Sequence, residues 1–94
     1  MRKSRWHSMA NKDITLKLYA SLAEFLPPSA KDNKAVITVE PDETVSDLIK
    51  RFHLPERLVH LVLINGVYIE PEERAKRYLK SGEVLAIWPP VAGG

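Results

Sequence analysis

The chain has 94 residues, 45% hydrophobic and 28% charged, with a net charge of +2 and no cysteine. That length supports one hydrophobic core and one domain, and the near balance of charge argues against a nucleic-acid-binding surface. The missing thiols exclude disulfides, thiolate nucleophiles and cysteine-ligated zinc, and nothing calls for an oxidising compartment, so a cytoplasmic setting is expected.

Residues 1–12 carry Arg2, Lys3, Arg5 and Lys12 without the apolar stretch of a secretory signal. They read as a flexible, solvated extension, with Met9 as a candidate true start; charge and stacking through Arg2, Lys3, Arg5 and Trp6 is the less favoured use. From Ile14 to Tyr19 apolar and polar residues alternate, which predicts a strand with Ile14, Leu16 and Leu18 facing inward. Leu22, Phe25 and Leu26 fall at helical spacing before Pro27-Pro28 stop them. After a polar loop over Ser29 to Lys34, the β-branched run Ala35-Val36-Ile37-Thr38-Val39 predicts a second strand, paired with the first as a hairpin.

The clearest helix follows. Thr44 is a good N-cap, and Asp47 stands three residues on, as in a capping box. Val45, Leu48, Ile49 and Phe52 form one apolar stripe, and Lys50, Arg51 and His53 suit the C-terminal end of the dipole before Pro55 ends the helix. Burying those four side chains contributes roughly 6–12 kcal/mol before entropy, so the stripe needs a sheet to cover.

Leu58 to Ile64 is apolar on both faces and predicts a central strand, while Asn65-Gly66 signals a type I′ turn into the short return strand Val67-Tyr68-Ile69. The longest strongly apolar run in it, Leu61-Val62-Leu63-Ile64, is far too short to cross a bilayer, and no membrane partner is expected. Pro71 to Lys80 is charged, with Tyr78 and Leu79 as its expected anchors. Ser81-Gly82 turns the chain into a last strand, Val84-Leu85-Ala86-Ile87-Trp88. This order predicts an α+β roll: a four- to five-stranded mixed sheet over residues 13–88 with one main helix packed on one face.

The chain then closes on Pro89-Pro90-Val91-Ala92-Gly93-Gly94. The prolines favour an extended exit, and at roughly 3.1 Å per residue the segment reaches about 18 Å. Gly93 and Gly94 make poor structural elements, because glycine loses more freedom than other residues when ordered. A slim terminus without side chains can be drawn into a narrow channel, although chain ends are also commonly frayed.

Over residues 13 to 94 the chain resembles the ubiquitin-like β-grasp sulfur carriers, and above all the small subunit of molybdopterin synthase. Three stretches carry the likeness: Thr44 to Phe52 as the single helix, Leu63-Ile64-Asn65-Gly66 before the short strand, and Leu79 through Gly94. The turn Leu79-Lys80-Ser81-Gly82-Glu83 has Gly-Glu where the family usually has Gly-Asp, and Trp88 stands as the aromatic before the prolines. The double proline is more like the molybdopterin branch than the thiamine branch.

The resemblance implies a protein that is not catalytic alone. An ATP-dependent, E1-like activating enzyme would adenylate the Gly94 carboxylate, which would then become a thiocarboxylate. Pro89, Pro90, Val91, Ala92 and Gly93 would carry it into the large subunit of molybdopterin synthase. Sulfur would pass there to a pyranopterin precursor of the molybdenum or tungsten cofactor. No cofactor would be bound, and ATP would be consumed by the activating enzyme.

The residues agree with that division of labour. His7, His53 and His60 are too scattered for a triad or a metal site, and Glu70, Glu72 and Glu73 read as a solvated loop. Docking needs an apolar patch at the root of the tail. Alternation along two strands assigns Leu61, Leu63, Ala86 and Trp88 to that face, with Trp88 as a lid of the core the competing assignment; a one-residue slip would exchange the faces. Three other uses of the same scaffold stay open: sulfur delivery to thiamine thiazole, protein modification through the activated tail, and an interaction module whose tail is never activated.

Overall fold

The alternation of Ile14, Leu16 and Leu18 becomes a strand with one wholly buried face. In the computed structural model, which describes residues 11–91, strand β1 runs Lys12–Leu18 and buries all three side chains. Lys12, expected at the end of the N-terminal extension, belongs instead to the strand, and its Nζ donates to the Leu79 carbonyl at 3.0 Å. The extension proper, with Arg2, Lys3, Arg5, Trp6, His7 and Met9, lies outside the described residues.

Strand β2, Lys34–Val39, pairs with β1 antiparallel from Lys12↔Val39 to Lys17↔Lys34, as expected of the hairpin. Between them a 3-10 helix, Ala20–Phe25, buries Leu22 and stops at Leu26, whose extended ψ of 153° is what the proline after it requires.

The main helix, α1 (Val45–Arg51), begins with a complete capping box. The Asp47 N–H donates to Thr44 Oγ1 at 3.2 Å, and the Thr44 N–H donates to Asp47 Oδ2 at 3.0 Å. Val45 and Leu48 are buried, and Ile49 and Phe52 pack against the same core. The helix ends at Arg51, with Phe52 as its C-cap, rather than running on to Pro55. His53 adopts a left-handed φ of 58°. Its N–H donates to the Lys50 carbonyl and the Leu54 N–H to the Ile49 carbonyl, both at 3.0 Å, a Schellman pair closed by a residue other than glycine.

Two further sequence expectations are corrected. The strand expected over Leu58 to Ile64 is shorter: Glu56–Leu58 forms a 3-10 helix after Pro55, and β3 is Leu61–Ile64. A run apolar on both faces has no period to mark where it starts. Nor is β3 the middle of the sheet. With β4 (Val67–Tyr68) and β5 (Val84–Trp88), the strand order is β2-β1-β5-β3-β4, so the chain's last strand is its central one. β5 runs parallel to β1 and antiparallel to β3. The β3–β4 turn has positive φ at both Asn65 (49°) and Gly66 (84°), as a type I′ turn demands.

The expected anchors of the 71–80 segment split. Leu79 is fully buried, but Tyr78 is 52% exposed and Arg74, 8% exposed, takes the interior place. The segment lies where it supplies acceptors to the start of α1: Val45 N–H donates to the Arg77 carbonyl and Ser46 N–H to the Arg74 carbonyl, both at 3.0 Å. The result is the expected α+β arrangement, a five-stranded mixed sheet with one main helix on one face: the ubiquitin-like β-grasp fold.

Candidate functional site: the open sheet face and the root of the tail

Strand register decides which residues share the face that α1 leaves uncovered. Val62↔Ile87 and Ile64↔Leu85 point into the core, so the alternate pairs Leu61↔Trp88 and Leu63↔Ala86 point away from it. The β3–β4 pairing adds Tyr68 beside Leu63, and the β1–β5 pairing adds Lys17 beside Ala86. The four residues expected on this face by sequence are therefore together on it. They are not equally accessible. Leu61 is 36% exposed and Leu63 and Trp88 are half-buried, but Ala86, in the middle of the sheet, is only 7% exposed. A single methyl between Lys17 and Leu63 offers a partner little surface, which corrects its expected weight.

Trp88 is not part of the core cluster. Its indole stacks on the Tyr19 ring with centroids 4.4 Å apart and planes 6° from parallel. The backbone holds the same place from both sides. Tyr19 N–H donates to the Ile87 carbonyl at 3.2 Å, and His60 N–H donates to the Trp88 carbonyl at 3.1 Å. The end of β5 is thus fixed where the chain leaves the sheet. Pro89 is buried, so the exit starts one residue later than expected, at Pro90, and Val91 is 79% exposed. Ala92, Gly93 and Gly94 lie outside the described residues.

Sequence reasoning missed Tyr19, Tyr68 and Lys17. The Asn65-Gly66 turn held the signal for Tyr68, because a two-residue hairpin sets Ile64 opposite Val67 and hence Leu63 opposite Tyr68. Continuing the β1 alternation past Leu18 gives Lys17 and Tyr19 the outward face.

At the other end of β5, Glu83 is a buried carboxylate held by Arg77 Nη2 at 2.8 Å and by the Lys80 N–H at 2.7 Å. Burial alone pushes its pKa up, but the hydrogen bonds from Arg77 and Lys80 and the charges of both outweigh it, so Glu83 titrates below the ordinary glutamate range. This pairing fixes the turn that feeds β5. Among the described residues no His, Asp and Glu cluster is placed to hold a metal. Glu70, Glu72 and Glu73 are exposed, as is His60. No helix among them is long and apolar enough to cross a membrane.

A family model described as Mut7-C ubiquitin matches residues 11–92. No curated protein gives a significant match. Several solved structures are similar. The Haloferax volcanii HVO 2177 protein is 23% identical with a TM-score of 0.70, the likeness covering 90% of this chain and 89% of that one. SAMP1 from Haloferax volcanii, a small archaeal modifier protein, is 28% identical with a TM-score of 0.60, over 87% of this chain and 99% of that one. The complex of subunits 1 and 2 of molybdopterin-converting factor from Helicobacter pylori contains a chain 21% identical, with a TM-score of 0.56, over 87% of this chain and 99% of that one. At 23% and 21% identity the first and third speak to the fold alone.

Proposed function

Since the chain belongs to the Mut7-C ubiquitin family, we propose that it is a sulfur carrier that works through its Gly94 carboxyl group. The carboxylate would attack the α-phosphorus of ATP on an E1-like activating enzyme, releasing pyrophosphate and forming an acyl adenylate. Sulfide-level sulfur attacking that carbonyl would form the C–S bond, break the C–O bond to AMP and leave a thiocarboxylate, with no change of oxidation state. The tail, from Pro90 to Gly94, would present it to a partner that supplies the acid–base groups and the substrate pocket. The substrate proposed is a pyranopterin phosphate on its way to molybdopterin, with the large subunit of molybdopterin synthase as the partner.

One observation carries this proposal. The central strand of the sheet is the last one, and it leads from a clamped Trp88 through a buried Pro89 directly into the tail, beside an uncovered apolar face. Leu61, Leu63 and Trp88, joined by Tyr19 and Tyr68, are the residues proposed to meet the partner, and exposed apolar surface of this kind marks interaction sites. The remainder of the body contributes position, not chemistry.

The test is ATP–pyrophosphate exchange with the activating enzyme. The full chain should support exchange and a chain lacking Gly94 should not; exchange undiminished by the deletion would remove the proposal. A second use of the same tail, covalent attachment to protein lysines, is favoured by the 28% identity to SAMP1. Co-purification with a synthase large subunit supports the first use, and a ladder of Gly94-dependent conjugates supports the second.

A further inference from the structure

The face opposite the open sheet carries an arrangement that tail chemistry does not use. Arg74 is 8% exposed, yet it belongs to neither of the ion pairs among the described residues, Arg51–Glu43 and Arg77–Glu83. Its Nε donates to the Ile69 carbonyl and its Nη2 to the His60 carbonyl, each at 3.3 Å. Among the described residues Nη1 makes no hydrogen bond, although the guanidinium is a fork of five donors shaped for a carboxylate. Among the described residues no carboxylate lies within 4.0 Å of the guanidinium, and its unbonded Nη1 keeps its solvent contact at an opening.

That opening is a cleft of about 680 Å³ between α1, the 3-10 segment Glu56–Leu58 and a further 3-10 segment, Pro71–Glu73. Arg74 lines it together with Lys50 and His53, and Ile49, Leu54 and Val59 supply apolar walls. Its size falls within the range of natural ligand sites, roughly 300–1,000 Å³. Glu56 is the acidic residue among those lining it, so the site as a whole favours an anion. The apolar walls give a bare inorganic ion nothing to bury against. They suit an anion borne on an apolar body.

We infer that this cleft is a docking site for a short acidic and apolar peptide segment of a partner protein, whose carboxylate pairs with Arg74 while its flanking apolar side chains lie along Ile49, Leu54 and Val59. Charge complementarity selects the occupant, and Lys50 at the rim adds to it. The site is independent of the tail and of the open sheet face, so both surfaces can be engaged at once, and its failure would leave the sulfur-carrier proposal intact.

The test is a titration of the isotope-labelled full chain with an acetylated, amidated hexapeptide, LELLEL, followed by amide chemical shifts. The expected result is saturable shifts at Ile49, Lys50, Leu54 and Arg74, with Leu63 and Ala86 unmoved. The glutamine analogue LQLLQL and the Arg74→Gln chain should each bind about tenfold more weakly, the scale of a lost charged hydrogen bond. If Arg74→Gln loses the native spectrum, Lys50→Glu, at an exposed helix position, should still weaken LELLEL about threefold. Equal binding of LQLLQL, shifts confined to the sheet face, or the same cleft shifts from inorganic phosphate alone would each overturn the inference.

Discussion

On the inner face of β5, Leu85 and Ile87 are shut under α1 and its neighbours, while on the outer face of the same strand Trp88 remains half-open and stacked on Tyr19. The same contrast holds one strand over, with Val62 and Ile64 inside and Leu61 and Leu63 outside. Apolar side chains on the two faces therefore answer to different demands. The inner set holds the fold together, and the outer set is available to another surface.

Substitution on the two faces should separate these roles. Leu85→Ala removes a wholly buried side chain from the central strand and should cost about 2–5 kcal/mol in urea denaturation. Leu63→Ala on the outer face should cost less than about 1 kcal/mol. Equal losses would break the distinction. Trp88→Ala sharpens it, because it should lose about 0.5–1.5 kcal/mol of stability with the Tyr19 stack. If Trp88 is a centre of docking, calorimetry against the partner should show about 2 kcal/mol or more of lost affinity. Loss of stability with intact binding would return Trp88 to a structural role.

Smaller effects belong to the turns that aim the two faces. His53→Gly should stabilise the protein by roughly 0.5–1 kcal/mol in the same denaturation, because glycine reaches the left-handed φ of 58° without steric cost. A loss would mean that the imidazole makes a contact worth more than the strain. The smallest effect is expected at Glu83. Its pKa is lowered on folding, so its contribution is present above the ordinary glutamate value of 4.5 and is lost as pH falls through the depressed one. Glu83→Gln should flatten stability against pH below that value and leave the shape of the curve near neutrality unchanged.

Much of this was readable in advance where period and chemistry agreed. Ile14, Leu16 and Leu18 announced the buried face of β1, and Thr44 with Asp47 announced the start of α1. The Asn65-Gly66 pair announced its turn. What stayed hidden depended on neighbours remote in sequence. Leu58 to Ile64 has no period, so nothing local separated a 3-10 turn from a strand. Arg74 is interior because two carbonyls, of His60 and Ile69, converge on it, and no local pattern distinguishes it from Arg77. Ala86 was placed on the correct face, but how much of it is covered depends on the strands at either side.

The central claim is that the reacting group of this protein is the carboxyl of Gly94 and that the folded body only positions it. The most direct measurement is the intact mass of the protein purified from its native cells under conditions that preserve thioacids, with fragmentation to place any change. The account predicts a species in which one oxygen has been replaced by sulfur, located at Gly94. A single unmodified mass under conditions in which a synthetic thiocarboxylate standard survives would contradict it.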